Sequence, residues 1–154
     1  MRSLLFLMCL LVSSSAFSVK ITKQEVVDLV EKTCAEIQKT ANYQDVLNKI
    51  TAAEHPYKDK DNPAKYVFAY DDKVNIIAHP KKNLVGKNYH NKPDVRGNKF
   101  RDSIVNGALK NGTGWAEYYY KKPGAVGIKK KNAYYKLCSK GDVKIILASG
   151  RYAE

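Results

Sequence analysis

The spacing between hydrophobic residues changes once along this chain, and this change limits the folds that the chain can adopt. Val26, Val30, Cys34, Ile37 and Ala41 recur at steps of three and four, which places them on one face of an α-helix. From residue 66 onward the apolar residues instead form short aromatic and β-branched runs, as strands do. Helices followed by strands indicate an α+β fold. With 44% hydrophobic and 27% charged residues, collagen-like, coiled-coil and disordered chains are excluded.

Local signals mark where the helices begin and end. Thr22-Lys23-Gln24-Glu25 has the form of a capping box, which predicts a helix start at Thr22. Residues 43–50 show a second, shorter helical pattern with Asn42 as its N-cap. A third helix is expected over residues 100–109, ended by Asn111-Gly112. Residues 54–65 are charged and contain two prolines, so we expect a loop there.

The strand signals predict one antiparallel sheet. Residues 66–70 and 74–78 flank the polar turn Asp71-Asp72-Lys73, which is typical of a hairpin. Three further strands are expected at residues 115–120, 134–137 and 143–147. The predicted architecture is a five-stranded antiparallel sheet with a long N-terminal helix packed on it.

The first eighteen residues have the layout of a secretory signal peptide. Met1-Arg2 supplies a positive start, an apolar run follows over residues 4–12, and the small residues Ala16 and Ser18 suit cleavage after Ser18. The apolar run is short for a bilayer span, and an uncleaved anchor is the alternative. We therefore expect a signal peptide at 1–18, a helical region at 19–65 and a sheet at 66–154. The last two would form one periplasmic or secreted domain.

Charge and cysteine content bear on partners and compartment. The formal net charge is +12, and removing residues 1–18, whose one charged side chain is Arg2, leaves +11. An exported basic protein is expected to meet anionic surfaces or small anions rather than nucleic acid. Cys34 and Cys138 remain after cleavage, and an oxidising compartment favours a disulfide between them, although spacing alone leaves the pairing open.

Signatures of catalysis are missing from the sequence. It holds no Gly-rich phosphate loop, no Gly-x-Ser-x-Gly elbow and no His-Glu-x-x-His. The spacing of metal ligands is lacking among the three histidines, His55, His79 and His90. We therefore expect no metal site, no cofactor and no enzymatic activity. The 11 tyrosines concentrate on the predicted strands. They either pack in the core or line a pocket for a small ligand.

Six segments in order resemble the single Cache domain family, type 2 subgroup. They are Ala78-His79-Pro80, residues 84–88, Asp94-x-x-Gly97-x-x-Phe100, residues 112–118, Lys131-x-x-Tyr134-x-Lys136 and residues 149–152. The resemblance implies a PAS-like, extracytoplasmic sensor fold that binds small molecules, often short organic acids, in a pocket on the sheet. Because these 154 residues show no later membrane span and no output domain, a stand-alone exported form is expected. A membrane receptor or kinase and a homodimer through the N-terminal helix are the partners that the resemblance suggests.

The resemblance also implies a set of ligand-binding residues. A lysine would hold a carboxylate, tyrosine hydroxyls and a histidine would donate hydrogen bonds, and aromatic rings would enclose the carbon end. Strand alternation conflicts with part of this set, because Trp115 and Tyr118 point to opposite faces of a regular strand, as do Lys131 and Tyr134. Arg101 is a second cationic candidate. The predicted set is Tyr66, Phe68, His79, Trp115, Tyr118, Lys131 and Tyr134.

Two functions follow from these patterns. The first is an extracytoplasmic sensor module that binds a short organic acid without catalysis, through a discrete pocket with a buried cation. The second is a basic exported protein that docks an acidic partner or surface polymer and has no small ligand. The second predicts salt-sensitive binding and a sheet face filled by its own side chains.

Overall fold

The computed structural model describes residues 20–153, and the segment expected to be a signal peptide lies outside them. Within this range the chain forms three α-helices, one 3-10 helix and a five-stranded sheet. The sheet is antiparallel with strand order β2-β1-β5-β4-β3, so the expected α+β, PAS-like fold is confirmed. The elements are α1 (Lys23–Lys39), α2 (Tyr43–Thr51), β1 (Val67–Tyr70), β2 (Ile76–Ala78), the 3-10 helix (Lys82–Leu84), α3 (Phe100–Asn111), β3 (Thr113–Lys121), β4 (Ile128–Lys140) and β5 (Val143–Tyr152).

The residues that were expected to begin and end the helices do so in the structure. The Thr22 hydroxyl accepts from the Glu25 amide at 3.1 Å, and the Thr22 amide donates to the Glu25 carboxylate at 2.8 Å, which completes the capping box. Asn42 caps α2 through the amide of Gln44. Gly112 ends α3 with a φ of +80°, a left-handed conformation that residues with a Cβ adopt at a cost.

The sheet is covered on both faces. α1 and α2 cover one face, where Val30 and Ile37 pack against Ile145 and Leu147 of β5. We call this the α1 face. α3 covers the other face, where Phe100 and Ile104 lie in one cluster with the aromatic side chains of β1 and β3. We call this the α3 face. Because successive strand residues alternate between faces, β1, β4 and β5 supply residues to both cores.

Several side-chain contacts attach α1 to β4. A disulfide joins Cys34 of α1 to Cys138 of β4, 104 residues apart. Three residues earlier on α1, the Glu31 carboxylate accepts from the Tyr134 hydroxyl at 2.9 Å and from the Lys136 ammonium at 2.8 Å. The N-terminal helix is therefore held to the α1 face by covalent and polar contacts together.

The three C-terminal strands are longer than their apolar runs indicated. β4 begins at Ile128 and includes the lysines at positions 129–131, whereas the strand expected from the sequence began only at residue 134. Pairing with β3 on one side and β5 on the other satisfies the backbone of this segment and overrides the local pattern. Among the described residues, no helix is both long and apolar enough to cross a membrane.

Candidate ligand-binding site

A small cavity lies between the sheet and α3, on the α3 face. Its free volume is about 10 Å³, which corresponds to about one water molecule. The walls come from the segment around β1, the β2 region and the 3-10 helix that follows it, the start of α3 and the C-terminal half of β3. The lining residues are Tyr66, Phe68, Tyr70, Ile76, His79, Leu84, Phe100, Arg101, Tyr118 and Tyr120.

A buried lysine contacts the wall of this cavity. Lys131 of β4 lies between Tyr118 of β3 and Tyr152 of β5 in the sheet register, and its side chain is 0% exposed. Its ammonium donates to the Tyr66 hydroxyl at 2.9 Å and lies 4.2 Å from the centre of the Tyr66 ring and 5.3 Å from that of Phe68. Burial, with a smaller contribution from Lys81, lowers the pKa of Lys131 from 10.5 to about 7.

A second cation lies at the cavity wall, supplied by the first turn of α3. Arg101 is 8% exposed, and its guanidinium lies 4.2 Å from the ring centres of Tyr89 and Phe100. Tyr70 and Tyr120 lie near enough for its positive charge to act on their phenols. Burial raises the pKa of both tyrosines, and the guanidinium opposes that rise, so both phenols remain protonated hydrogen-bond donors at neutral pH.

His79 lines the cavity as a neutral ring. Its Nδ1 accepts from the Lys81 amide at 2.8 Å, which leaves the proton on Nε2. Burial lowers the pKa of His79 from 6.5 to about 3, and the positive charges of Lys131, Lys81 and Arg101 act in the same direction. The ring centre is 5.4 Å from that of Tyr66 and 5.9 Å from that of Phe68. His79 can therefore donate a hydrogen bond from Nε2 at neutral pH.

The two basic side chains at the cavity have no carboxylate partner within residues 20–153. No Asp or Glu of that range lies within ion-pair distance of Lys131 or Arg101. The neighbouring Asp102 points elsewhere, to the His90 ring at 2.6 Å and the Asn91 amide at 3.0 Å. A buried cation is normally paired, because its removal from water is costly. The site is therefore complementary to an anion.

A comparison with known protein families covers most of the chain. The family model described as Single Cache domain 2 matches residues 12–154. The chain belongs to this single Cache domain family. No functionally curated protein matches the chain.

Solved structures show the same fold. A chain described under "Structural basis for carboxylic acid recognition by a Cache chemosensory domain" has 21% identity and a TM-score of 0.68, with 85% of this chain and 92% of that chain covered. A methyl-accepting chemotaxis protein from Vibrio parahaemolyticus RIMD 2210633 has 22% identity and a TM-score of 0.66, with coverage of 84% and 87%. A periplasmic sensor domain of a chemotaxis protein has 19% identity and a TM-score of 0.63, with coverage of 83% and 88%.

The Cache fold brings five of the seven expected ligand-binding residues together. Tyr66, Phe68, His79 and Tyr118 line the cavity, and Lys131 contacts two of these lining residues. The five come from four separate parts of the chain: the β1 region, the end of β2, β3 and β4.

The structure does not bring Trp115 and Tyr134 to the cavity. The two residues pair across β3 and β4 with ring centres 5.5 Å apart, on the α1 face. Tyr134 bonds Glu31 of α1, and Trp115 is 37% exposed beneath the ammonium of Lys23. The reason is the alternation of side chains in a regular strand, which allows only one residue of each expected pair to face the cavity.

Sequence reasoning left out two tyrosines of this Cache cavity. Tyr70 and Tyr120 line it, each two residues beyond an expected member, Phe68 and Tyr118. The period of two along β1 and β3 was the signal that could have found them. The position of Arg101 depends instead on how α3 packs against the sheet.

Other parts of this Cache domain are weaker candidates. A wider groove of about 620 Å³ lies beside the start of α1, but two of its three acidic residues, Glu25 and Asp59, are paired with Lys65 at 3.1 and 3.3 Å. No group of His, Cys, Asp or Glu side chains within residues 20–153 could hold a metal ion.

Proposed function

We propose that this chain is an extracytoplasmic sensor module that binds a short organic acid in the α3-face cavity and does not transform it. One observation carries the proposal: two buried basic side chains, Lys131 and Arg101, adjoin one cavity without a carboxylate partner in residues 20–153. An organic anion supplies the missing charge. The relatives that are sensor domains of chemotaxis proteins support the sensory role.

The hydrogen-bonding groups at the cavity suit a carboxylate. Lys131 and Arg101 offer charged donors, and the guanidinium can donate two parallel hydrogen bonds to one carboxylate. The Nε2 proton of His79 and the tyrosine hydroxyls add neutral donors. Among residues 20–153, no acidic side chain lines the cavity to repel an anion.

The small cavity favours a ligand of few carbon atoms. A free volume of about 10 Å³ must widen even for the smallest acids, by movement of side chains such as Phe100 and Tyr118, which stack with ring centres 3.8 Å apart. Each added methylene group demands more movement in a densely packed region. We therefore expect acids of two or three carbons to bind more tightly than longer ones.

The disulfide supports an extracytoplasmic location. Cys34 and Cys138 are bonded in the structure, and structural disulfides persist mainly in oxidising compartments. This agrees with the signal peptide expected at residues 1–18, which lie outside the described range.

Ligand-dependent stability tests the proposal. Thermal unfolding of residues 19–154 is measured with acetate, propionate, lactate and butyrate, and with ethylamine as a cationic control. A bound acid raises the free energy of unfolding by RT ln(1 + [L]/Kd), which is about 2.7 kcal/mol at 100 times Kd. Acetate, propionate or lactate should raise the Tm more than butyrate does, and ethylamine should leave it unchanged.

Matched variants show whether the cavity is responsible. Lys131→Met should abolish the shift, whereas Lys130→Met should retain it, because Lys130 is an exposed neighbour paired with Glu117. Trp115→Ala should also retain it, since Trp115 lies on the α1 face. A shift that survives Lys131→Met, or no shift with any acid on the folded protein, would contradict the proposed function.

Docking to an acidic partner is the second candidate. The observation that favours it is an exposed apolar and basic surface at the turn between β3 and β4. Val126 is 94% and Ile128 45% exposed there, and the neighbouring side chains of Lys121, Lys129 and Lys130 are also exposed. Such binding would weaken with salt and would be insensitive to Lys131→Met, because that side chain is buried.

A further inference from the structure

We propose that the cavity takes up one proton with each bound anion, so that the protein responds to the weak acid as ion plus proton rather than to the anion alone. The inference rests on the proposed function and concerns the regulation of the same site. Lys131 is the group that carries the proton.

The geometry around Lys131 makes its charge depend on the ligand. The ammonium has three N–H donors but bonds one acceptor in the described part of the chain, the hydroxyl of Tyr66, and it has no access to solvent. Aromatic rings of Phe68 and Tyr152 lie 5.3 and 5.1 Å from it. Without an anion, the protonated form is thus desolvated and left without a counterion, which favours the neutral amine.

The groups facing Lys131 from every adjoining element are neutral or positive. Tyr66 precedes β1, Tyr118 lies on β3, Tyr152 lies on β5, and His79 follows β2. Beyond them, Arg101 of α3 and Lys81 after β2 are cations. No carboxylate within the described range is there to hold the proton on Lys131 when the cavity is empty.

The pKa values of the cavity residues support the uptake of a single proton. The pKa of Lys131 is lowered to about 7 by burial and by Lys81. The pKa of His79, lowered to about 3, keeps that ring neutral above pH 6. Burial raises the pKa values of Tyr66 and Tyr118, so their phenols stay protonated up to pH 9. Lys131 is therefore the cavity group that changes charge between pH 6 and pH 9.

An arriving carboxylate reverses the balance at Lys131. The anion is the counterion of the Lys131 ammonium and accepts hydrogen bonds from its free N–H groups. The pKa of Lys131 therefore rises in the complex. Above pH 7 Lys131 is mostly neutral in the empty site and must take a proton from solvent when the anion binds. By linkage, binding then weakens with rising pH, until the pH reaches the pKa of Lys131 in the complex.

Calorimetric titration of the full mature chain tests this coupling. The probe is the tightest binder among acetate, propionate, lactate and butyrate, all of which are ionised above pH 6. For a free pKa near 7, Kd should be about tenfold larger at pH 8 than at pH 6. Heats measured at pH 8 in HEPES and in Tris, at one ionic strength, should differ by the uptake of roughly 0.9 proton per bound ligand.

A variant of Lys81 provides the matched control. Its positive charge lowers the pKa of Lys131, whereas its backbone amide, which bonds His79, is unchanged by substitution. Lys81→Met should therefore move the midpoint of the pH dependence upward. The ¹³Cε shift of Lys131, followed by NMR without ligand, reads the same pKa independently of binding.

The possible results separate the two proposals. A Kd that is constant from pH 6 to pH 9, with no proton uptake, overturns the proton coupling and leaves the sensor function intact. The same holds if NMR shows Lys131 protonated at pH 9 without ligand. Failure of all four acids to bind at any pH overturns the proposed function and the coupling together.

Discussion

Lys131 occupies its buried position because a residue on the neighbouring strand has no side chain. A Cβ on Gly150 of β5 would lie 2.7 Å from Cε of Lys131 and 3.1 Å from Cβ of Ala133. The contact with Lys131 is shorter than packed carbon atoms allow, so that side chain would have to move, whereas the contact with Ala133 is tight but needs only a small shift. At the scale of single residues, the cation at the cavity therefore depends on a glycine that does not line the cavity itself.

Gly150→Ala should displace the Lys131 side chain and weaken binding of the short acid at least about tenfold, a change of ~1.4 kcal/mol. The measurement is Kd by calorimetry at pH 6, where Lys131 is protonated. Ser149→Ala is the matched control. Ser149 is buried, pairs with Tyr134 on the α1 face, and has no hydrogen-bond partner for its hydroxyl among the described residues. Equal affinity of the two variants would contradict this role for Gly150.

At the scale of elements, β4 connects the two faces of the sheet. Lys131 projects from it to the α3 face, whereas Tyr134, Lys136 and Cys138 project to the α1 face and hold α1. Strand alternation explains this division, since residues of odd and even number point to opposite sides. The same strand therefore contributes to the cavity and anchors the N-terminal helix.

Removal of the disulfide should destabilise the fold without removing the cavity. In the chain-entropy model, a cross-link that closes a loop of about 100 residues contributes about 4–5 kcal/mol. The double variant Cys34→Ala, Cys138→Ala should show a loss of that order in urea unfolding, and the short acid should still raise its Tm. A reducing agent should destabilise the wild-type chain but not the double variant. Unchanged stability of the variant would contradict the contribution of the cross-link.

At the scale of the whole molecule, buried groups of lowered pKa should make stability depend on pH. The pKa of Lys131 falls from 10.5 to about 7 on folding, so between pH 7 and pH 9 the unfolded chain binds the extra proton. Stability therefore rises with pH in this window, by up to about 1.4 kcal/mol per pH unit. His79 acts in the same direction between pH 3 and pH 6.5, because it is protonated in the unfolded chain and neutral in the fold.

Urea unfolding without ligand at pH 7, 8 and 9 checks this dependence. The free energy of unfolding should rise with pH in the wild-type chain. Lys131→Met should be more stable than wild type at pH 7 and should show a flat profile, since it carries no buried amine. Lys130→Met should behave as the wild type does, because Lys130 is exposed and paired with Glu117. A rising profile in Lys131→Met would assign the effect to another group.

Much of this fold could be predicted from the sequence, because it depends on interactions between residues that are close together in the chain. The capping box at Thr22, the cap at Asn42 and the end of α3 at Gly112 involve residues within a few positions of one another. Periods of 3.6 and 2 likewise reveal which residues share a face. The extent of β4 was not readable, because its lysine-rich start is a strand only through pairing with β3 and β5.

The sequence by itself determined the helix starts, the hairpin around Asp71, the order of helices and strands, and the residues of β1 that share a face. Tertiary structure alone decided that Asp102 turns away to His90, which leaves Arg101 of α3 and Lys131 of β4 without a carboxylate partner among residues 20–153. The lowered pKa of Lys131 was also decided there. The physical reason is range: caps and periodicity act between neighbours in the chain, whereas burial and charge pairing depend on residues brought together from distant positions.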